Sequence, residues 1–245
     1  MMAENETGTV MLPPAKTQEA FVHIGFAKAK LARGRAFVLA ILAGAFVALG
    51  ASFMLMVRAD STLSPSVSLI LGGLAFCLGL FLVLVAGAEL FTGHTLFLTL
   101  GIKAGRIGTG SALRAGLQSW GGNLLGSILV AWLFWQTGGG KLLPDGTSLL
   151  HSAALAKTQL PVTALIAKGM LCNWLVCLAI WMCQRVEGSA KFIAIWWCLL
   201  AFIASGYEHS IANMTLFALS WFGAHSDAYT LGGIGHNLLW VTLGN

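Results

Sequence analysis

Ala36 to Val57, AFVLAILAGAFVALGASFMLMV, runs for 22 residues without a charged side chain. A helix of about 20 apolar residues crosses the hydrocarbon core of a bilayer. In lipid every backbone N–H and C=O must be satisfied internally, so only helices and closed barrels span. Other apolar runs, each with at most one charged residue, recur at about Ser66–Glu89, 112–135, 162–184 and the shorter 191–204. The weakly alternating strands of a membrane barrel are absent from the sequence. Charged residues make up 9% of the chain, against about 25% in soluble domains, too few to cover a water-facing surface. The expected class is a one-domain, all-α polytopic membrane protein whose first partner is the lipid bilayer. The net charge of +5 is spread along the chain and does not point to nucleic acid.

Lys16, Lys28, Lys30, Arg33 and Arg35 precede the first run, and no small-residue cleavage site follows it. This predicts a retained first span rather than a signal peptide. The start, MMAENETGTVMLPPAKTQ, reads as a loose tail. EAFVHIGFAKAKLAR reads as an amphipathic helix lying on the membrane surface. Residues 1–35 would then be a cytoplasmic arm and 36–245 the transmembrane domain. Lys103, Arg106 and Arg114 follow the second span, and Arg185 and Lys191 follow the fourth. The other side keeps Arg58, Lys141 and Lys157, so the positive-inside tendency puts the N-terminus in the cytoplasm. The five cysteines lie in apolar segments with no C-x-x-C pair and read as small buried residues.

Two of the apolar regions are interrupted, and the interruptions resemble each other. In AELFTGHTL, Glu89 stands five residues before His94; in YEHSIANMTL, Glu208 stands five before Asn213. Downstream, GGNLLGS around Asn123 resembles the terminal LGN with Asn245. The offsets between the copies are 119 and 122 residues. Three spans per copy is an odd number, so the copies would run in opposite senses. This predicts an inverted repeat of 3+3 helices, about 36–135 and 162–245, with broken second and fifth helices and a solute path at the pseudo-two-fold axis. A sixth span beginning near Asn237 would be largely absent, since the sequence stops at Asn245. A truncated record and a five-span chain are the two readings of that stop.

A helix broken inside a membrane frees backbone groups, tolerated where protein or a watery cavity meets them. A carboxylate at mid-membrane costs about 2.5–3.5 kcal/mol on insertion scales, so Glu89 and Glu208 need partners. Free N–H groups at the breaks, with His94 and Asn213, are the candidates. That makes Glu89, His94 and Asn213 loop-structuring residues, with Gly93 permitting the turn. His209 points away from Glu208 and is the candidate path-lining group. An imidazole can be neutral or charged near neutral pH. It suits a weak-acid anion that crosses apolar constrictions as the neutral acid, avoiding a bare charge in a low dielectric. Two roles fit Thr92: donating to a solute at the midpoint, and capping the restarted helix. Phe76, Leu80 and Phe202 flank the breaks, either as constriction or as ordinary packing.

The stretches AGAELFTGHTLFLTLGIKAG, LCNWLVCLAIW and ASGYEHSIANM resemble the formate/nitrite transporter family, and its bacterial nitrite-channel branch above all. The resemblance covers about Phe21 to Asn245. It implies an aquaporin-like fold with a pore in each protomer of a homopentamer in the bacterial inner membrane. It also implies a substrate pathway of His209, Thr92, Asn173, Glu208 and the outer-vestibule Lys157, with constrictions at Phe76, Leu80, Val176 and Phe202. The expected function is transport of small monovalent weak-acid anions, nitrite first, possible co-passage of protons included, with no enzyme activity and no cofactor or metal. Formate and hydrosulfide are the alternative substrates. A haem-binding redox subunit using His94 and His209 is the alternative of a different class.

Overall fold

The computed structural model describes residues 3–4, 10–143 and 147–245. Ala3–Glu4 pairs antiparallel with Val10–Met11, and the other elements of the described residues are helices. The helices are α1 (Pro14–Lys30), α2 (Arg33–Arg58), α3 (Pro65–Leu82), α4 (Phe91–Lys103), α5 (Thr109–Gln136), α6 (Thr147–Thr158), α7 (Val162–Arg185), α8 (Ala190–Ala204), α9 (Ser210–Phe222) and α10 (Leu231–Gly244). Arg33–Arg58, Pro65–Gly87 and Val162–Arg185 are long and apolar enough to cross a membrane.

Helix limits follow local chemistry. Pro14 and Pro65 open α1 and α3 where a missing N–H is harmless. The hydroxyls of Ser64 and Thr230 accept from Val67 and Gly233 N–H at the starts of α3 and α10. After Leu82 the chain widens into a π-helical turn, Val83–Gly87, then runs extended through Ala88 and Leu90 before α4. Gly87 has φ +80°, which a side chain would resist. The α8–α9 interruption has the same device in Gly206, at φ +66°. The turn expected at Gly93 is therefore made at Gly87. Gly93 lies inside α4, where a Cβ would sit 3.1 Å from Ile180 Cδ1.

Three other expectations change. The N-terminal helix starts at Pro14, within the stretch read as a tail, and does not simply lie on a membrane surface. Its stripe of Thr17, Phe21, Gly25 and Ala29 is buried, and Gly25 meets the Phe97 carbonyl of α4 so closely that no Cβ fits. The remaining tail residues 1–2 and 5–9 lie outside those described. The last helix begins at Leu231 rather than near Asn237. No element was expected over Thr147–Thr158, where α6 forms. The cysteines are unpaired, and all but the half-buried Cys177 are buried.

Helix crossings are set by small residues. A Cβ on Gly44 would come 2.0 Å from the Asn123 carbonyl oxygen, and one on Gly126 2.0 Å from that of Ile41. α2 and α5 thus touch backbone to backbone, a close approach that strengthens van der Waals packing where lipid offers no hydrophobic drive.

Candidate functional site

The α3–α4 interruption is held from several sides. Glu89 accepts from Lys28 Nζ of α1 at 2.7 and 2.8 Å and pairs with His94 Nε2 at 2.5 Å. Its backbone N–H donates to Leu39 O, and its carbonyl accepts from Ser119 Oγ and Asn123 Nδ2. Asn123, fully buried in α5, also donates to Ala40 O, and its Oδ1 accepts the Phe91 N–H at 2.9 Å. One side chain therefore satisfies an orphan donor at the start of α4 and ties it to α2.

The same contacts recur at the α8–α9 interruption. Glu208 accepts from Lys157 Nζ of α6 and from Asn213 Nδ2, each at 2.6 Å. Its N–H donates to Lys168 O. Asn245 accepts from Ser210 N–H at 2.7 Å and donates to Gly169 O and Glu208 O. Lys28 and Lys157, Leu39 and Lys168, and Ala40 and Gly169 stand the same number of residues apart. Asn237 closes the set, accepting from Asn213 and donating to Lys157 O.

The two interruptions meet at Thr92 and His209. Both are buried, and Thr92 Oγ1 lies 3.1 Å from His209 Nε2. His209 caps α9: its Nδ1 accepts the Ala212 N–H at 3.0 Å. With Nδ1 accepting, the neutral ring carries its proton on Nε2 and donates to Thr92. Both ring nitrogens are engaged, which leaves none for axial ligation of a haem iron. The Phe202 ring stacks on His209 with centroids 6.0 Å apart, and Phe76 stands edge-on to Phe202 at 5.5 Å. Leu80 and Val176 belong to the same buried apolar cluster. The midpoint is thus a polar pair inside an apolar sleeve.

Asn173 is linked through two hydrogen bonds to the backbone of Thr92. Its Nδ2 donates to Thr95 Oγ1 at 2.9 Å, and Thr95 donates to the Thr92 carbonyl. Lys157, expected at the outer vestibule, donates to Glu208. On the α1 side, a cavity of about 710 Å³ opens among Phe21, Lys28, Glu89, Gly93, His94 and Lys191. It stops short of Thr92 and His209.

The free N–H groups expected to meet the two carboxylates are met by Asn123 and Asn245 instead, and the carboxylates take Lys28 and Lys157 beside His94 and Asn213. Sequence reasoning gave Asn123 and Asn245 no task. The recurrence of Asn after Gly-rich helix segments was the available signal. The lysines lie on helices that only the fold brings to the breaks.

A family model described as formate/nitrite transporter matches residues 15–245. The chain is 65% identical over 204 residues to the nitrite transporter NirC of Salmonella typhimurium, covering 83% of this chain and 75% of that protein. A solved structure of an FNT family ion channel superposes with TM-score 0.89 at 57% identity, covering 94% of this chain and 92% of the other. A pentameric formate channel with formate bound superposes with TM-score 0.76 at 29% identity, over 86% and 91%. By this match along nearly its whole described length, the chain belongs to the formate/nitrite transporter family.

Proposed function

We propose that this chain is a nitrite-conducting channel of the bacterial inner membrane, acting as a homopentamer with one pathway per protomer and its N-terminus in the cytoplasm. In this reading residues 1–35 are the cytoplasmic arm and 36–245 the channel, built as two inverted halves with broken second and fifth helices. The recurrence of the Lys–Glu–Asn contacts at both interruptions supports the inverted halves. The 65% identity to a nitrite transporter supports nitrite, and the pentameric neighbour supports the assembly. Formate is the second substrate, because that neighbour holds formate.

The observation that carries the reading is the contact between Thr92 and His209, donor against hydroxyl, between two helix interruptions in an apolar sleeve. An anion entering the α1-side cavity meets Lys28 and Lys191; one arriving from the opposite side meets Lys157. At the midpoint the anion replaces one partner of the Thr92–His209 bond, accepting from Nε2–H and from the Thr92 hydroxyl. Phe76 and Phe202 strip its water, so a weak acid that takes up a proton passes more easily than a permanently charged ion. Glu208 and Asn173 position this pair rather than touch the ion. Transport requires no chemical conversion of the anion, in keeping with a family of transporters and channels.

The test is nitrite-driven internal acidification of liposomes that hold the folded chain and a pH dye. Acidification above that of protein-free liposomes, competed by formate, is expected. Intact, folded protein that gives no excess flux of nitrite by dye or by direct anion assay overturns the reading.

A further inference from the structure

The two interruptions share a lysine on the carboxylate, an asparagine on the helix start and a side chain five residues on, and they differ in what that last side chain is. Where Glu208 meets Asn213, Glu89 meets His94. An amide cannot take up a proton, whereas an imidazole titrates near neutral pH. His94 is 4% exposed, and its Nε2 faces the Glu89 carboxylate at 2.5 Å. A carboxylate there holds the neutral ring with its proton on Nε2 and its lone pair on Nδ1. Nδ1 is buried and has no partner. His94 lines the 710 Å³ cavity on the α1 side, in the arrangement by which a carboxylate orients a histidine base and stabilises the imidazolium it becomes.

We propose that the Glu89–His94 pair is a proton-accepting site of the α1-side mouth, which makes release of the anion depend on the pH of that side alone. The inference rests on the weak-acid channel reading above. A neutral acid leaving the sleeve past Leu90 and Gly93 gives its proton to Nδ1 when the packing over that buried nitrogen opens. The acid's O–H bond breaks, an N–H bond forms, and the anion leaves beside Lys28. The imidazolium, held through Nε2–H by Glu89, then passes the proton to the solvent of the cavity. The charged and titratable groups around His94 are Lys28 on α1, Glu89, Arg114 on α5, Cys183 on α7 and Lys191 on α8. The cations favour departure of the proton and attract the anion. His209, whose Nδ1 is occupied by the Ala212 N–H, serves as hydrogen-bond donor at the midpoint, so the proton store lies at the mouth.

The experiment uses the full chain in sealed vesicles whose sidedness is scored with a protease-cleavable N-terminal tag. Nitrite is supplied at fixed pH on the side opposite α1, and only the pH on the α1 side is varied. Wild-type efflux at the α1 side should rise roughly threefold or more between about pH 5.5 and 7.5. His94→Asn, which copies the opposite interruption, should flatten the response. Asn213→His, which builds the same pair there, should create a matching dependence on the other side's pH. An unchanged profile in His94→Asn, or no new dependence in Asn213→His, overturns the inference while leaving the channel reading intact. Absence of wild-type flux removes both. If His94→Asn does not fold, the Asn213→His result decides alone.

Discussion

Replacing Asn123 with alanine should destabilise this protein more than any other single truncation of a neutral polar side chain in α5. The buried amide makes three hydrogen bonds: Phe91 N–H to Oδ1 at 2.9 Å, and Nδ2 to Ala40 O at 2.8 Å and Glu89 O at 3.0 Å. The three losses are unequal. Glu89 O keeps Ser119 Oγ as a donor, and Ala40 O lies inside α2, so each forfeits about 0.5–1.5 kcal/mol. The Phe91 N–H opens α4 and would be left buried with no acceptor, which costs about 1–3 kcal/mol. The total is about 2–6 kcal/mol. Ser127 in the same helix is the control, since its one hydrogen bond, to Gly44 O, is 3.5 Å long. Ser127→Ala should cost under about 1 kcal/mol. Denaturant unfolding of the purified protein, followed by tryptophan fluorescence, measures the difference. If Asn123→Ala unfolds at the same midpoint as Ser127→Ala, α4 does not need its orphan donor satisfied from α5, and the account of the interruption fails.

Three further outcomes follow from the geometry. Lys157→Met leaves Glu208 buried with Asn213 as its remaining side-chain partner and should cost about 3–5 kcal/mol; adding Glu208→Gln should recover part of it, as a double-mutant cycle in denaturant would show. Gly126→Val puts carbon atoms where the Ile41 carbonyl lies, 2.0 Å from the Cβ position, and should prevent α2 and α5 from closing, read as loss of folded protein in size-exclusion chromatography. His209→Asn keeps a good helix cap but removes the ring from Thr92 and Phe202. It should leave stability within about 1 kcal/mol of wild type while cutting nitrite flux in liposomes at least tenfold; wild-type flux would refute the midpoint role.

Much of the architecture was legible in the chain because it is local. Long apolar runs with few charges locate α2, α3, α5, α7 and the shorter α8, since lipid allows few other structures. The pairs Glu89–His94 and Glu208–Asn213 were also readable, because a five-residue offset across a helix start brings both side chains to one place. The same local reading misassigned the turn to Gly93. Positive φ depends on where the backbone must reverse, and Gly87 and Gly206 hold those positions. It also missed α6, which has neither the length nor the hydropathy of a span.

What the sequence determined by itself is a membrane-embedded helical chain with two interrupted regions, because burial in lipid acts on each segment separately. Tertiary structure alone decided what those interruptions do. It brought Thr92 to His209 across 117 residues, carried Lys28 and Lys157 on separate helices to the two carboxylates, and gave Asn123 and Asn245 their backbone partners. These contacts depend on how closely the helices approach. That approach is set by glycine faces such as Gly44 against Asn123, and neither hydropathy nor periodicity along the chain says which face meets which.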